Sequence, residues 1–303
     1  MKLLKFAAID IGSNAVRLLF TNVIEDEKKT SFRKSSLIRM PIRLGEDSFN
    51  TGVISDQRIK KLVKTMLAFK YLMEVQDVVA YRACATSAMR EATNGNEVVK
   101  TVKDETGIEI EIIEGKEEAE IIYSNQVVEM IDDLNPYLYV DVGGGSTEIS
   151  LFARKKRIAS HSFNVGTLRI LNNTAGKKNF KEMKEWIKDL QLNSKEVKII
   201  GSGGNINKLF KISGIKKNQP LLYSNLIEIY KFINFYNVEE RIKILGLNPD
   251  RADVIIPASE IFLKIMKWSG AEQVIVPTIG VSDGIVRQLY KEYSQQKKGM
   301  VFK

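Results

Sequence analysis

Cysteine occurs once in this sequence, at Cys84, which excludes an internal disulfide and fits a reducing compartment. Histidine also occurs once, at His161, inside an alternating strand-like run. With no cysteine or second histidine to join it, a zinc site of the usual N/S kind and a histidine-based triad both lack their parts. No apolar run approaches the roughly 20 residues needed to span a bilayer. The opening stretch, MKLLKFAAIDIGSN, is broken by Lys5 and Asp10 before it reaches signal-peptide length. These absences predict a cytoplasmic protein without a membrane segment.

What is present is the composition of a globular protein: 303 residues, 44% hydrophobic and 27% charged, enough chain for two domains of ordinary size. The net charge of +9 points either to a polyanionic partner or to a lysine-rich surface that serves solubility. The basic run Arg154-Lys155-Lys156-Arg157 lies between strand-like segments and reads as a hairpin tip. It lacks the interleaved aromatics of a base-stacking platform.

Apolar runs bounded by glycine and acidic residues predict strands at Leu4–Ile9, Val16–Val23, Ser31–Met40, Val78–Ala83 and Ile108–Ile113. A second set follows at Leu138–Val142, Ile149–Ala153, Ile158–Phe163, Val197–Ile200 and Gln273–Val276. Helical periodicity predicts a helix capped by Ser55 and running to Met73, one over Ser87–Lys103 and one from Lys116 to about Ile131. Further helices are expected at Phe180–Leu190, Ser224–Phe235, Arg251–Trp268 with Pro257 tolerated or kinking it, and Ser282–Tyr293. Alternating strands and helices predict α/β layers.

One plan occurs twice. AIDIGSNAVRLLF, from Ala8, and VDVGGGSTEISLF, from Val140, both read strand, Asp, apolar, Gly, small polar residues, strand. The repeat predicts two related domains, residues 1–125 and 126–303, with the last helix able to pack back on the first, and a ligand in the cleft between the halves. Three glycine-bearing turns follow predicted strands: the one holding Ser13 and Asn14, the one holding Gly144, Gly145 and Ser146, and the one holding Gly203 and Gly204. Glycine lets backbone amides approach an anion, and Ser or Asn side chains add donors. Asp10 and Asp141 end strands, and Asp141 with Glu148 has the oxygen chemistry of a Mg²⁺ site; capping of local turns is the alternative for both aspartates. Acidic residues in Glu114-Gly115-Lys116-Glu117-Glu118 suit a helix start, and one of them could orient water. Arg90 is either a surface helix residue or a bidentate phosphate clamp.

Together, AIDIGSNAVRLL, ATSAMREA, IEIIEGKEEAEIIY, VDVGGGSTEISL, VGTLRI, GSGGN and RADVIIPASEI resemble, in that order, the exopolyphosphatase / guanosine pentaphosphate phosphohydrolase (Ppx/GppA) family. The resemblance runs from Phe6 to about Tyr290. It implies a duplicated actin-like ATPase (ribonuclease H-like) α/β fold and hydrolysis of the terminal phosphoanhydride of polyphosphate. It further implies Glu118 as general base, and Asp141 and Glu148 at the site of Mg²⁺ or another divalent cation, with Asp10 nearby. Ser13, Asn14, Arg90, Gly144, Gly145 and Ser146 would hold phosphates, with Gly203 and Gly204 completing the site. The ligand would be polyphosphate or guanosine penta- or tetraphosphate, with no nucleic-acid sequence recognised, and the family suggests a homodimer. A pppGpp 5′-phosphohydrolase, a sugar or acetate kinase of the same fold, and a binder of polyphosphate or alarmone that does not cleave stand as alternatives. Two features depart from the family. Arg287 is followed by Gln288 and Leu289 where Arg-Glu-Gly is frequent, and the chain stops where longer members continue into an additional helical domain.

Overall fold

The computed structural model describes residues 1–26, 29–123, 130–192, 196–277 and 280–301. The chain divides into two compact units, residues 1–125 with 280–303, and residues 126–279.

Unit 1 is built on a five-stranded sheet in the order β3-β2-β1-β4-β5, with β1 Lys2–Ile11, β2 Val16–Glu25, β3 Thr30–Met40, β4 Ala80–Ala85 and β5 Ile110–Ile112. β1, β2 and β3 run antiparallel, and β1, β4 and β5 run parallel. Six of the ten residues of β1 in a row, Phe6–Ile11, are buried, as a central strand covered on both faces requires. Between β3 and β4 lie α1 Leu44–Thr51 and α2 Asp56–Val75; α3 Ser87–Glu91 and α4 Gly95–Thr106 precede β5, and α5 Gly115–Tyr123 follows it. Ser55 does stand at the N-cap of α2, but its hydroxyl is turned to Asp47 Oδ2 (2.5 Å) and makes no cap bond.

The helix expected over Ser87–Lys103 is two helices. The break falls at Ala92–Asn94, where Asn94 exchanges both hydrogen bonds with the Ile54 backbone (2.9 and 2.8 Å) and the Thr93 amide bonds Gly52 O (2.8 Å). Of the helix expected from Lys116, Gly115–Tyr123 is helical, Ile131 is not, and residues 124–129 lie outside the described residues. The last helix, α13, spans Val281–Val301 and packs on β1, β2, β4 and α5 of unit 1. Tyr290 and Tyr293 meet Phe6 edge-on at 5.8 and 5.4 Å, and Tyr290 also meets Phe32 at 5.4 Å. The Arg287 guanidinium lies 4.4 Å over the Phe32 ring.

Unit 2 repeats the plan in the order β10-β11-β9-β6-β7-β8, with β6 Tyr137–Val142, β7 Thr147–Ala153, β8 Lys156–Phe163, β9 Lys198–Ser202, β10 Leu221–Leu222 and β11 Gln273–Ile275. The β7–β8 turn is the basic stretch; Arg154 and Lys155 both take left-handed angles (φ 48° and 57°), the geometry of a tight hairpin. The helices are α6 Thr167–Leu171, α7 Lys177–Asp189, α8 Gly204–Ile212, α9 Tyr223–Phe235, α10 Val238–Lys243, α11 Pro249–Ala252 and α12 Ile255–Ser269. α12 packs on α7, α8 and α9, burying Ile261, Phe262 and Ile265 completely. Each such side chain contributes about 1.5–3 kcal/mol relative to exposure. The single helix expected over Arg251–Trp268 is therefore α11 and α12, and Pro257 neither kinks nor interrupts the second. It occupies the first turn, where the missing amide has no intrahelical acceptor to lose.

Candidate active site

In unit 1 the turn between β1 and β2 is closed by the Gly12 amide on Ala15 O (3.2 Å). The Ser13 and Asn14 carbonyls accept from the amides of Gly45 and Arg43 (2.8 and 3.1 Å), so α1 and its leading residue brace the loop. Ser13 Oγ shares a 2.9 Å hydrogen bond with Ser87 Oγ at the start of α3, and both residues are buried. Arg90, on the same short helix, donates Nη1 to Ile113 O (2.7 Å), which fixes it to the segment leading into α5. Glu118 is buried in the first turn of α5, with its amide on Glu114 O (2.9 Å). Asp10 is also buried, and its Oδ2 accepts from Arg17 Nη1 at 2.7 Å. Arg17 stands directly across the ladder from Asp10.

In unit 2 the turn between β6 and β7 closes in the same way, the Gly143 amide on Ser146 O (2.9 Å). Its carbonyls are then used up by α6. Thr167 N bonds Gly143 O (3.0 Å), Leu168 N bonds Gly144 O (2.8 Å), and the buried Arg169 donates Nε to Gly145 O (2.6 Å). Among the described residues, the amides of Gly144, Gly145 and Ser146 serve no hydrogen bond within the protein. Successive unspent amides in a turn form an anion-binding concavity. Gly166 makes the backing possible, because a Cβ there would lie 2.4 Å from Gly144 O.

Asp141 and Glu148 are directly opposite on β6 and β7, which puts both carboxylates on one face of the sheet. Both are buried. Ser202 donates to Asp141 Oδ2 (3.1 Å) and Ser162 to Glu148 Oε1 (2.9 Å). Gly203, at φ 102°, lets the third loop pass Asp141; a Cβ there would stand 2.9 Å from Asp141 Oδ1. Gly204 O accepts from Arg251 Nη1 of α11 (3.3 Å). Among the described residues no group of three or more His, Cys, Asp or Glu is gathered for a metal ion. Two hard carboxylates side by side still fit Mg²⁺, which keeps several waters and fills its octahedron with substrate phosphate oxygens.

In unit 1, Asp10, Ser13 and Asn14 thus lie at the end of β1, Arg90 on the helix that follows β4 and Glu118 on the helix that follows β5. Unit 2 assembles Asp141, Glu148, Gly144, Gly145, Ser146, Gly203 and Gly204 around the ends of β6 and β9. Reasoning from sequence singled out neither Arg17 nor Gly166, Arg169, Ser202 or Arg251 as support. The VGTLRI and RADVIIPASEI stretches contain three of them and were the available signal. His161 packs beside Phe163 (4.4 Å) and Trp186 (5.9 Å), 3.5 Å from Glu182, on the exposed edge strand β8.

The sequence profile of the Ppx/GppA phosphatase family matches residues 23–292, and the chain belongs to that family. The crystal structure of the Aquifex aeolicus member of the Ppx/GppA family is similar at 26% identity and TM-score 0.73, covering 96% of this chain and 99% of that one. The fold is that of the Ppx/GppA family member, with two α/β units built on related sheets. A bifunctional 3-dehydroquinate synthase/phosphatase of Fusobacterium nucleatum subsp. nucleatum is 30% identical over 302 residues, covering 89% of this chain and 44% of that protein. The chain thus spans less than half the length of that relative. Exopolyphosphatase 2 of Mycobacterium tuberculosis is 25% identical over 318 residues, covering 95% of this chain and 99% of that protein. No helix among the described residues is long and apolar enough to cross a membrane.

Proposed function

We propose that the protein is an exopolyphosphatase, which removes the terminal phosphoryl group of inorganic polyphosphate and releases orthophosphate. The observation that carries this reading is the Asp141–Glu148 pair beside a loop whose carbonyls are spent and whose amides are not. That arrangement suits a divalent cation and a phosphate side by side. Family membership and the exopolyphosphatase relative support the substrate class.

In this reading the Gly144, Gly145 and Ser146 amides, Ser13, Asn14 and Arg90 hold phosphate oxygens, and Gly203 and Gly204 shape the third loop. Glu118 accepts the proton of the attacking water and aims it in line with the leaving polyphosphate. Its burial keeps the carboxylate where few water molecules compete for it. Asp141 and Glu148 hold Mg²⁺ or another divalent cation, and Asp10, already bonded to Arg17, adds to the acidic set. When bound, the cation neutralises charge on the terminal phosphoryl group. Donors fixed in advance by the fold account for most of the acceleration in phosphoryl transfer.

The test is phosphate release from long-chain polyphosphate, tripolyphosphate and pppGpp, with and without Mg²⁺. Polyphosphate cleavage that depends on Mg²⁺ is expected, and Glu118→Gln should remove most turnover while leaving polyphosphate binding intact. Turnover of Glu118→Gln at the wild-type rate removes the base assignment, and faster cleavage of pppGpp than of either polyphosphate removes the substrate assignment.

A further inference from the structure

Glu118 is carried on a nine-residue helix, α5, and a helix that short is held by its neighbours rather than by its own propensity. Two neighbours grip it one turn apart. At Glu117, Oε1 accepts from Arg82 Nη2 of β4 at 2.9 Å. At Ile121, the carbonyl lies so close to α13 that a Cβ on Gly284 would stand 2.1 Å from it. Residues 117 and 121 share one helix face, and Glu118 lies about 100° round from 117.

Arg82 joins the two grips. Its Nη1 donates to Gln288 Oε1 of α13 at 3.0 Å, while Nε and Nη2 reach Glu111 Oε2 of β5 at 3.0 and 2.7 Å. One guanidinium therefore ties β4, β5, α5 and α13 together. It is 16% exposed, whereas its partner Glu117 is 43% exposed. Gln288 is one of the residues that departs from the family pattern, and here it is an acceptor for this arginine.

We infer that Arg82 is a positioning residue for Glu118, acting through Glu117 and Gln288 to fix the rotation of α5, an inference that rests on the assignment of Glu118 as base. A turn of about 10° around the helix axis moves an atom roughly 6 Å from that axis by about 1 Å. A displacement of that size costs on the order of 10²-fold in a reaction that depends on orientation. Arg82 itself touches neither substrate nor water in this scheme, so its loss acts on the chemical step and leaves phosphate binding alone.

The experiment combines Mg²⁺-dependent phosphate-release kinetics on tripolyphosphate with hydrogen–deuterium exchange of the α5 peptide, on the full chain. Arg82→Ala should lower kcat about 10- to 100-fold with KM within twofold, and should speed exchange in α5. Glu117→Ala should do the same, and the double variant should be no slower than the worse single one. Arg82→Lys should recover part of kcat, since an ammonium still reaches one of the acceptors. Unchanged kcat in Arg82→Ala, a raised KM at constant kcat, or losses that multiply in the double variant overturns the inference. Glu118→Gln run alongside keeps the two assignments apart. If it retains wild-type turnover, the base assignment fails even where α5 exchange still quickens in Arg82→Ala. If it abolishes turnover while Arg82→Ala changes neither kcat nor exchange, the positioning role alone fails.

Discussion

Strand for strand, β2-β1-β4 of unit 1 corresponds to β7-β6-β9 of unit 2, and the residues aligned at the loop ends can be compared one by one. Unit 1 presents Arg17, Asp10 and Cys84 in a cross-strand row; unit 2 presents Glu148, Asp141 and Ser202. The turns close with equivalent hydrogen bonds, Gly12 to Ala15 and Gly143 to Ser146. Geometry has been kept through the duplication while the charge beside the aspartate has been reversed. An arginine already neutralises Asp10, whereas Asp141 is given a second carboxylate and a hydroxyl. Across the ladder an arginine faces the aspartate in one hairpin and a glutamate faces it in the other.

The largest expected effect comes from striking the two aspartates in turn. Asp141→Asn or Glu148→Gln should lower kcat on polyphosphate about 10²–10³-fold, the scale of losing one element of transition-state charge stabilisation, and should raise the Mg²⁺ concentration needed for half activity. Asp10→Asn should cost less than tenfold and leave the Mg²⁺ dependence in place. Equal losses at Asp10 and Asp141 in phosphate-release assays would break the asymmetry. Next is the backing of the loops. Gly166→Ala drives a methyl onto Gly144 O at 2.4 Å, whereas Gly12→Ala meets Ala15 O at 3.2 Å. Urea unfolding should show Gly166→Ala to be destabilised by about 3 kcal/mol and Gly12→Ala by about 1 kcal/mol, the range for overpacking.

A smaller effect sharpens the same contrast. Arg17→Glu copies the charge pattern of unit 2 into unit 1, so the variant should melt lower than wild type without Mg²⁺. It should then gain a Mg²⁺-dependent rise of roughly 1.4 kcal/mol at tenfold excess over Kd, on top of the rise that binding at Asp141 and Glu148 gives wild type. A thermal shift identical in the two proteins would count against it. The smallest concerns Cys84, where burial pushes the thiol up to about 12, opposed by the charge of Arg82. A thiol pKa raised on folding stabilises fully below the unfolded value and is lost as pH climbs toward the folded one. Cys84→Ser should therefore shift the urea midpoint by under about 1 kcal/mol at pH 7. It should also flatten the decline in stability above about pH 9. Native Cys84 should resist a thiol reagent at pH 8, and rapid modification there would contradict its burial.

Both sheets were legible in the sequence because their strands are short apolar runs cut off by glycine and aspartate, and the loop-bearing hairpins sit at those cuts. Asp141 and Glu148 were legible as a pair because a closed turn separates them and strand periodicity does the rest. α1 was not anticipated: LGEDSFNT has little apolar periodicity, and its entry depends on Arg43 in a left-handed conformation at φ 58°. The break at Asn94 was hidden for a similar reason, since the acceptor and donor that stop the helix belong to Ile54, forty residues away in the chain. Partners fixed by tertiary contact, such as Arg169 for Gly145 or Arg82 for Glu117, leave no local pattern to read.

The return of α13 to unit 1 bears on the order in which the molecule can be finished. Phe6 is translated long before the aromatic rings that cover it, those of Tyr290 and Tyr293. Residues 126–279 can complete their core while the opening sheet still lacks its lid. A stop ahead of Val281 would therefore damage the unit whose strands were made earlier, and a nascent chain would need shielding of that sheet until Tyr293 has been made.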